Sequence, residues 1–229
     1  MVSASPVTRS LQVADFGCIR NGRVLLRHID FGLHSGEVLL LKGSNGTGKS
    51  TLLRSLAGLM TWRAGELSWC GQPVAARHPS FQQQLVYLGH QCGMNEALSG
   101  WENLRFALAM MGVAWQDTRV QTVLEQLDVA AVAHRPVGRL SQGQRRRMAL
   151  ARVMLSERAL WLLDEPDNAL DAAACAQLTR ILETHAQSGG MAIVVSHRGI
   201  QLSGTSTSVL DLSAQPLRLH PSEAACKTA

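Results

Sequence analysis

The string that most restricts this chain is Gly43-Ser44-Asn45-Gly46-Thr47-Gly48-Lys49-Ser50. The apolar run EVLLLK precedes it, and TLLRSLAGLM, with apolar residues at helical spacing, follows. A strand that turns into a helix through such a loop fits the pattern G-x-x-x-x-G-K-[ST], in which backbone N–H groups turn inward around phosphate oxygens. Glycine supplies the backbone conformations that a side chain forbids, and the start of the next helix adds a dipole that favours an anion. Lys49 then stands as a point charge for outer phosphates and Ser50 as a hydroxyl ligand for Mg2+. The expected nucleotide-binding set is Gly43, Ser44, Asn45, Gly46, Thr47, Gly48, Lys49, Ser50 and Thr51.

The rest of the chain has a rhythm that suits this loop. Short apolar runs at residues 38–42, 85–88, 160–164 and 191–196 alternate with helical patterns, which predicts an α/β core with a parallel sheet. Segments at 11–13, 24–31 and 66–70, separated by Asn-Gly and Gly turn signals, predict a small antiparallel layer. Leu98, Trp101, Leu104, Leu108 and Met111 recur at helical spacing, and Ser141 can cap a helix running to about Leu155. Residues 92–156 therefore read as a helical insertion. With no repeat or long linker, 1–229 reads as one domain with its core at about 10–215 and a partly disordered tail at 216–229.

Composition narrows the setting. At 229 residues and 46% apolar, the chain can bury a core without staples. Cys18, Cys70, Cys92, Cys175 and Cys226 are scattered, with no C-x-x-C pair, which points to a reducing compartment. The N-terminal MVSASPVTRSLQV lacks a signal-peptide core and no stretch is apolar enough to span a membrane, so a cytoplasmic location is expected. A net charge of +5 suits a phosphate ligand, anionic lipid or nucleic acid equally and does not choose among them.

A second piece of chemistry stands at Leu160-Trp161-Leu162-Leu163-Asp164-Glu165, an apolar strand ending in two carboxylates. Such a strand brings acids to the carboxyl edge of a parallel sheet, beside the phosphate loop. Asp164 is expected to hold Mg2+ and Glu165 to act on water.

Together with these two motifs, Leu140-Ser141-Gln142-Gly143-Gln144 closely resembles the signature of ATP-binding cassette (ABC) proteins, a branch of the P-loop NTPases. The resemblance covers residues 10–215 and implies ATP and Mg2+ as ligands. It implies that Ser141, Gln142, Gly143 and Gln144 act in trans, contacting the γ-phosphate of ATP on the opposite subunit of a head-to-tail homodimer, a further case of anion binding at a helix start. Asn168-Ala169-Leu170-Asp171 resembles the D-loop, with Asp171 opening a helix whose Cys175, Leu178 and Leu182 form a core stripe. His197, after the apolar run 192–195, resembles the switch histidine, placed with Glu165 in the catalytic set. Arg145, Arg146 and Arg147 fall where the family carries basic residues, and are expected on a solvated or interface face. Two positions depart from the pattern. Arg20 stands where an adenine-stacking aromatic is usual, and His90 stands one place ahead of Gln91 where the loop glutamine is expected, so either is a candidate for the metal or water contact.

The text GHQ at 89–91, ENLRF at 102–106, the compact length and the missing aromatic are similar to the ATP-binding subunit of the heme exporter used in bacterial cytochrome c maturation. That resemblance implies a peripheral subunit on the cytoplasmic face of the inner membrane, bound to two integral membrane subunits and making no direct contact with nucleic acid. It places the coupling surface at residues 92–98 with Trp101, although Trp101 is also a candidate for plain core. The alternatives are a cassette ATPase acting on a ribosome, DNA or an assembly scaffold, and the ATPase of a different exporter.

Overall fold

The structure is a computed structural model that describes residues 9–20, 23–62, 64–196 and 199–214. His197 and the tail at 216–229 lie outside the described residues, as does the side chain of Arg20. In chain order the elements are β1 (Ser10–Arg20), β2 (Arg23–His34), β3 (Glu37–Lys42), α1 (Lys49–Leu56), β4 (Ala64–Trp69), β5 (Gln72–Pro73), α2 (Pro79–Gln82), β6 (Leu85–Leu88), α3 (Gly100–Met111), α4 (Asp117–Gln126), α5 (Gln142–Leu155), β7 (Leu160–Asp164), α6 (Ala172–Gln187), β8 (Met191–Val195) and β9 (Ser206–Asp211).

Two sheets result. The parallel one has the order β6-β7-β8-β3-β9, and the antiparallel one β2-β1-β4-β5. All residues of β7 and β8 are buried, as continuous apolar runs covered on both faces require. One apolar cluster joins one face of the sheet, through Val38, Leu163 and Val194, to α3, α4, α5 and α6. The other joins Leu39, Leu162 and Ile193 to α1 and the antiparallel sheet, through Leu52, Leu53, Leu11 and Leu33. The sheet is thus a partition with the phosphate loop at the end of its strand β3.

The strand runs expected at 38–42, 85–88, 160–164 and 191–196 become β3, β6, β7 and β8, the last ending at Val195. Ser141 caps α5 in a reciprocal box with Gln144, and Ser99 caps α3 in the same way with Glu102. Trp101 is half-buried in the helical layer, 5.1 Å from Trp115 and 5.0 Å from His134 between ring centroids. It packs against these two rings while remaining partly exposed.

Candidate functional site

The phosphate loop begins where β3 ends. Gly43, Gly46 and Gly48 all have positive φ. Gly48, at φ 101°, sits against Leu26 of β2, where a Cβ would meet that side chain at 2.9 Å. The first helical bond of α1 runs from Leu52 N–H to the Gly48 carbonyl, at 2.8 Å. The amides of Lys49, Ser50 and Thr51 therefore precede the helical ladder, as orphan donors at a helix start. Lys49 is buried, and its Nζ donates to the carbonyls of Gly43 at 2.7 Å and Ser44 at 2.9 Å. Thr47 Oγ1 donates to the Ser44 carbonyl at 3.0 Å, which leaves Asn45 on the exposed outer bend.

A brace on this loop comes from far along the chain. Ser44 N–H donates to Ser213 Oγ at 3.1 Å, and Ser213 N–H donates to Asp211 Oδ1 at 2.8 Å. Ser213 lies in the turn after β9, whose pairing with β3 brings it there. No local pattern marks it.

Beside the loop, Ser50 Oγ donates to Asp164 Oδ1 at 3.0 Å, so the two expected metal ligands meet. Asp164 is 1% exposed, and its Oδ2 is buried without a well-formed hydrogen bond, with only the Tyr87 phenol near the carboxylate. A buried carboxylate oxygen in that state is costly unless a cation completes it, so the donor set fits a small divalent ion. The Tyr87 phenol lies close enough to feel the Asp164 charge. Burial first, and that charge second, raise its pKa against the lowering by Arg54, whose Nε donates to the phenol oxygen at 3.4 Å. Tyr87 is thus a neutral hydroxyl at the carboxylate.

Glu165 follows with φ 53°, a left-handed conformation uncommon for a residue with a side chain. Its N–H donates to the Val195 carbonyl at 2.9 Å, and its Oε2 lies 3.6 Å from His90 Nδ1. Of the two candidates in the loop after β6, His90 is therefore the one beside the carboxylate. His90 and Gln91 both line a cleft of about 580 Å3, together with Cys92, Met94, Gln142 and Asn168.

At the start of α5, Gln144 N–H donates to Ser141 Oγ at 3.2 Å while Ser141 N–H donates to Gln144 Oε1 at 3.0 Å. A Cβ at Gly143 would meet the Ala169 carbonyl at 3.0 Å, so glycine lets this turn lie against residues 168–170. Asp171 caps α6 by accepting from Ala174 N–H at 2.8 Å. Among the described residues, no hydrogen bond joins Ser141, Gln142, Gly143 or Gln144 to residues 43–51.

The arginine run departs from the expectation of a solvated or interface face. Arg146 is 3% exposed and donates to four main-chain carbonyls: Gly89 at 2.7 Å, Asp164 at 2.7 Å, Glu165 at 2.5 Å and Pro166 at 3.2 Å. Arg147 joins Asp128 at 3.0 Å to Asp171 at 2.8 Å, and Arg145 reaches Glu96 at 3.1 Å. Successive helical residues point about 100° apart, so three adjacent arginines face three different neighbours. A signal was there to find Arg146, since it shares the i, i+3, i+4, i+7 stripe with the buried Ala149, Leu150 and Val153.

Comparison with known proteins fits this arrangement. The ABC transporter family profile matches residues 26–168. A cytochrome c biogenesis ATP-binding export protein CcmA from Cupriavidus necator is 48% identical over 187 residues, 82% of each chain. The protein of that name from Albidiferax ferrireducens is 39% identical over 205 residues, 90% of this chain and 98% of its own. Among solved structures, an ATP-binding subunit of an ABC transporter superposes with a TM-score of 0.77 at 24% identity, over 89% of this chain and 86% of its own. An ABC transporter ATP-binding protein from Pyrococcus furiosus gives 0.76, also at 24% identity, over 89% and 97%. The chain belongs to the ABC transporter family, as an ATP-binding subunit alongside the CcmA proteins of cytochrome c biogenesis.

Proposed function

We propose that the chain hydrolyses ATP as a pair of copies and drives a membrane export complex, the heme exporter of cytochrome c maturation. The observation that carries the chemistry is the convergence of Lys49, Ser50, Asp164 and Glu165 at one edge of the parallel sheet. The loop amides and Lys49 bind the phosphates, Lys49 exchanging its carbonyl partners for phosphate oxygens. Ser50 and Asp164 would hold Mg2+, which would offset the charge of the outer phosphates. Glu165 accepts the proton of the attacking water, with His90 beside it and His197 assigned to the catalytic set as the switch histidine by family resemblance alone.

The signature residues Ser141, Gln142, Gly143 and Gln144 have no bond to the phosphate loop of their own chain among the described residues, which supports their use on the ATP of the second copy. Asp171, engaged by Arg147 and by the Ala174 amide, is assigned to the contact with the second copy by its resemblance to the D-loop. Among the described residues no helix is long and apolar enough to cross a membrane. Attachment on the cytoplasmic side then runs through two integral membrane subunits, and the cleft beside Gln91, Cys92 and Met94 is the surface offered to them.

The test is co-expression with the integral subunits and purification in detergent. The expected result is a complex whose ATPase activity is lost in Glu165→Gln with ATP binding retained, and whose assembly is weakened by Met94→Glu. A chain that hydrolyses ATP at full rate with Glu165 replaced would remove the base. A chain that never co-purifies with those subunits would remove the export role.

A further inference from the structure

We propose that Arg146 is a positioning residue for hydrolysis: its guanidinium fixes the backbone of Glu165 and ties that turn, with the loop carrying His90, to the helix that begins at the signature. The proposal rests on Glu165 as the base. Arg146 is the sixth residue after Leu140, deep under the first turns of α5.

Three of its four acceptors are the consecutive carbonyls of Asp164, Glu165 and Pro166. Consecutive peptide oxygens converge on one point only where the chain departs from extended and helical forms, and Glu165 at φ 53° supplies that departure. Such a turn is unfavourable twice over, in its left-handed residue and in the mutual repulsion of its oxygens, and a buried cation offsets both. The turn and the guanidinium are therefore one unit.

The fourth acceptor is the Gly89 carbonyl, the residue before His90. One planar fork thereby fixes the main chain on both sides of the 3.6 Å approach between His90 Nδ1 and Glu165 Oε2. The fork belongs to α5, whose first residues carry the signature. A shift of α5 along its axis, such as closure against a second copy would impose, moves Gly89 and Glu165 with it. The glutamate is then set for proton transfer only when the signature helix is seated. All four acceptors of Arg146 lie outside the phosphate loop at 43–51, so binding of ATP is expected to be largely independent of it.

An ammonium on a lysine stem offers donors from one point and cannot span acceptors from two loops. Arg146→Lys keeps the charge and most of the volume, and so separates positioning from folding even if Arg146→Met fails to fold. Arg146→Lys in the full chain is expected to bind a fluorescent ATP analogue within about threefold of wild type while kcat falls by about tenfold or more. Hydrogen exchange of the ligand-free protein should rise in peptides covering 86–92 and 163–168 and stay unchanged in 49–56. Added to Glu165→Gln, the change should lower turnover no further. A smaller fall in kcat, a matching fall in binding, or unchanged exchange at 163–168 overturns the proposal. If Glu165→Gln alone keeps its turnover, the base is wrong, and the exchange measurement still judges the hold of Arg146 on the turn.

Discussion

The loop around Lys49 and the turn around Arg146 share one device, a buried cation among main-chain carbonyls, and use it to opposite ends. Lys49 Nζ takes its acceptors from 5 and 6 residues back, within a single loop. Its compact charge on a flexible stem can leave those carbonyls for phosphate oxygens while the strand and helix stay in place. Arg146 spreads rigid donors over carbonyls 57 residues before it and 18 to 20 residues after it. Those bonds cannot be exchanged without parting two loops from α5. In the proposed roles, the cation that would meet a ligand is held by two bonds within its own loop, and the one that would set geometry by four bonds to two distant segments.

The contrast is open to attack at several strengths. The largest effect is expected from Lys49→Ala, which should weaken ATP binding by about 100-fold or more, because the outer phosphates lose their nearby cation. Retention of wild-type affinity, read with a fluorescent nucleotide, would break the claim that this cation is exchangeable. Next, Glu165→Gln should leave binding intact and reduce kcat by about 100-fold, since the water loses its base while Asp164 and Ser50 remain. A loss below about tenfold would move the base elsewhere.

Mixing Ser141→Arg subunits with Lys49→Ala subunits probes the pairing itself. Each pool alone is expected to be inactive, and a mixed dimer would restore one intact phosphate loop facing one intact signature, so a measurable fraction of activity should return. Verified mixed dimers that stay inactive would argue for a site complete within one chain. A milder effect is expected from Ser213→Ala, which removes the acceptor of Ser44 N–H. One hydrogen bond near 1 kcal/mol predicts a KM for ATP raised about fivefold with kcat unchanged. A change in kcat with KM constant would make Ser213 something other than a brace.

The smallest effect concerns a third basic group, partly buried and uncharged near neutral pH. His185 of α6 stacks on Trp161 with ring centroids 3.7 Å apart, and its Nε2 lies 3.2 Å from the Met191 carbonyl. Burial lowers its pKa to about 4, against the raising effect of bonds to the Met191 and Ala159 carbonyls. The same imidazole in the unfolded chain titrates near ~6.5. Above that pH both states are neutral and the group contributes no pH dependence. As pH falls from about 6.5 towards 4 the unfolded state takes up a proton that the folded state refuses, so stability drops by roughly 1 kcal/mol per pH unit. His185→Phe keeps the stack and loses the titration, so melting temperatures of the two proteins should diverge in slope over that window. Parallel slopes would remove His185 from the acid response.

The sequence made some of this legible and hid the rest, for physical reasons. The residues at 43–51 were readable because their partners lie within a few positions, and β3, β6, β7 and β8 because burial on both faces demands unbroken apolar runs. Strand β9 escaped notice because STSVLD is polar and largely exposed at the sheet edge. Ser213 escaped because its partner is 169 residues away. Arg146 was hidden in plain composition, as the middle of three like charges, where direction on the helix matters and residue type does not.

Strand β3 lies between β8 and β9, so the segment that ends in the phosphate loop is made early while both its neighbours, at residues 191–195 and 206–211, are made late. During synthesis the motif at 43–50 emerges long before the strands that flank it and the serine that braces it. Contacts so distant in sequence form slowly and last. A growing chain on the ribosome therefore carries the nucleotide motif without the strands that flank it, and the bond that braces Ser44 can form only after residue 213 has been made and released.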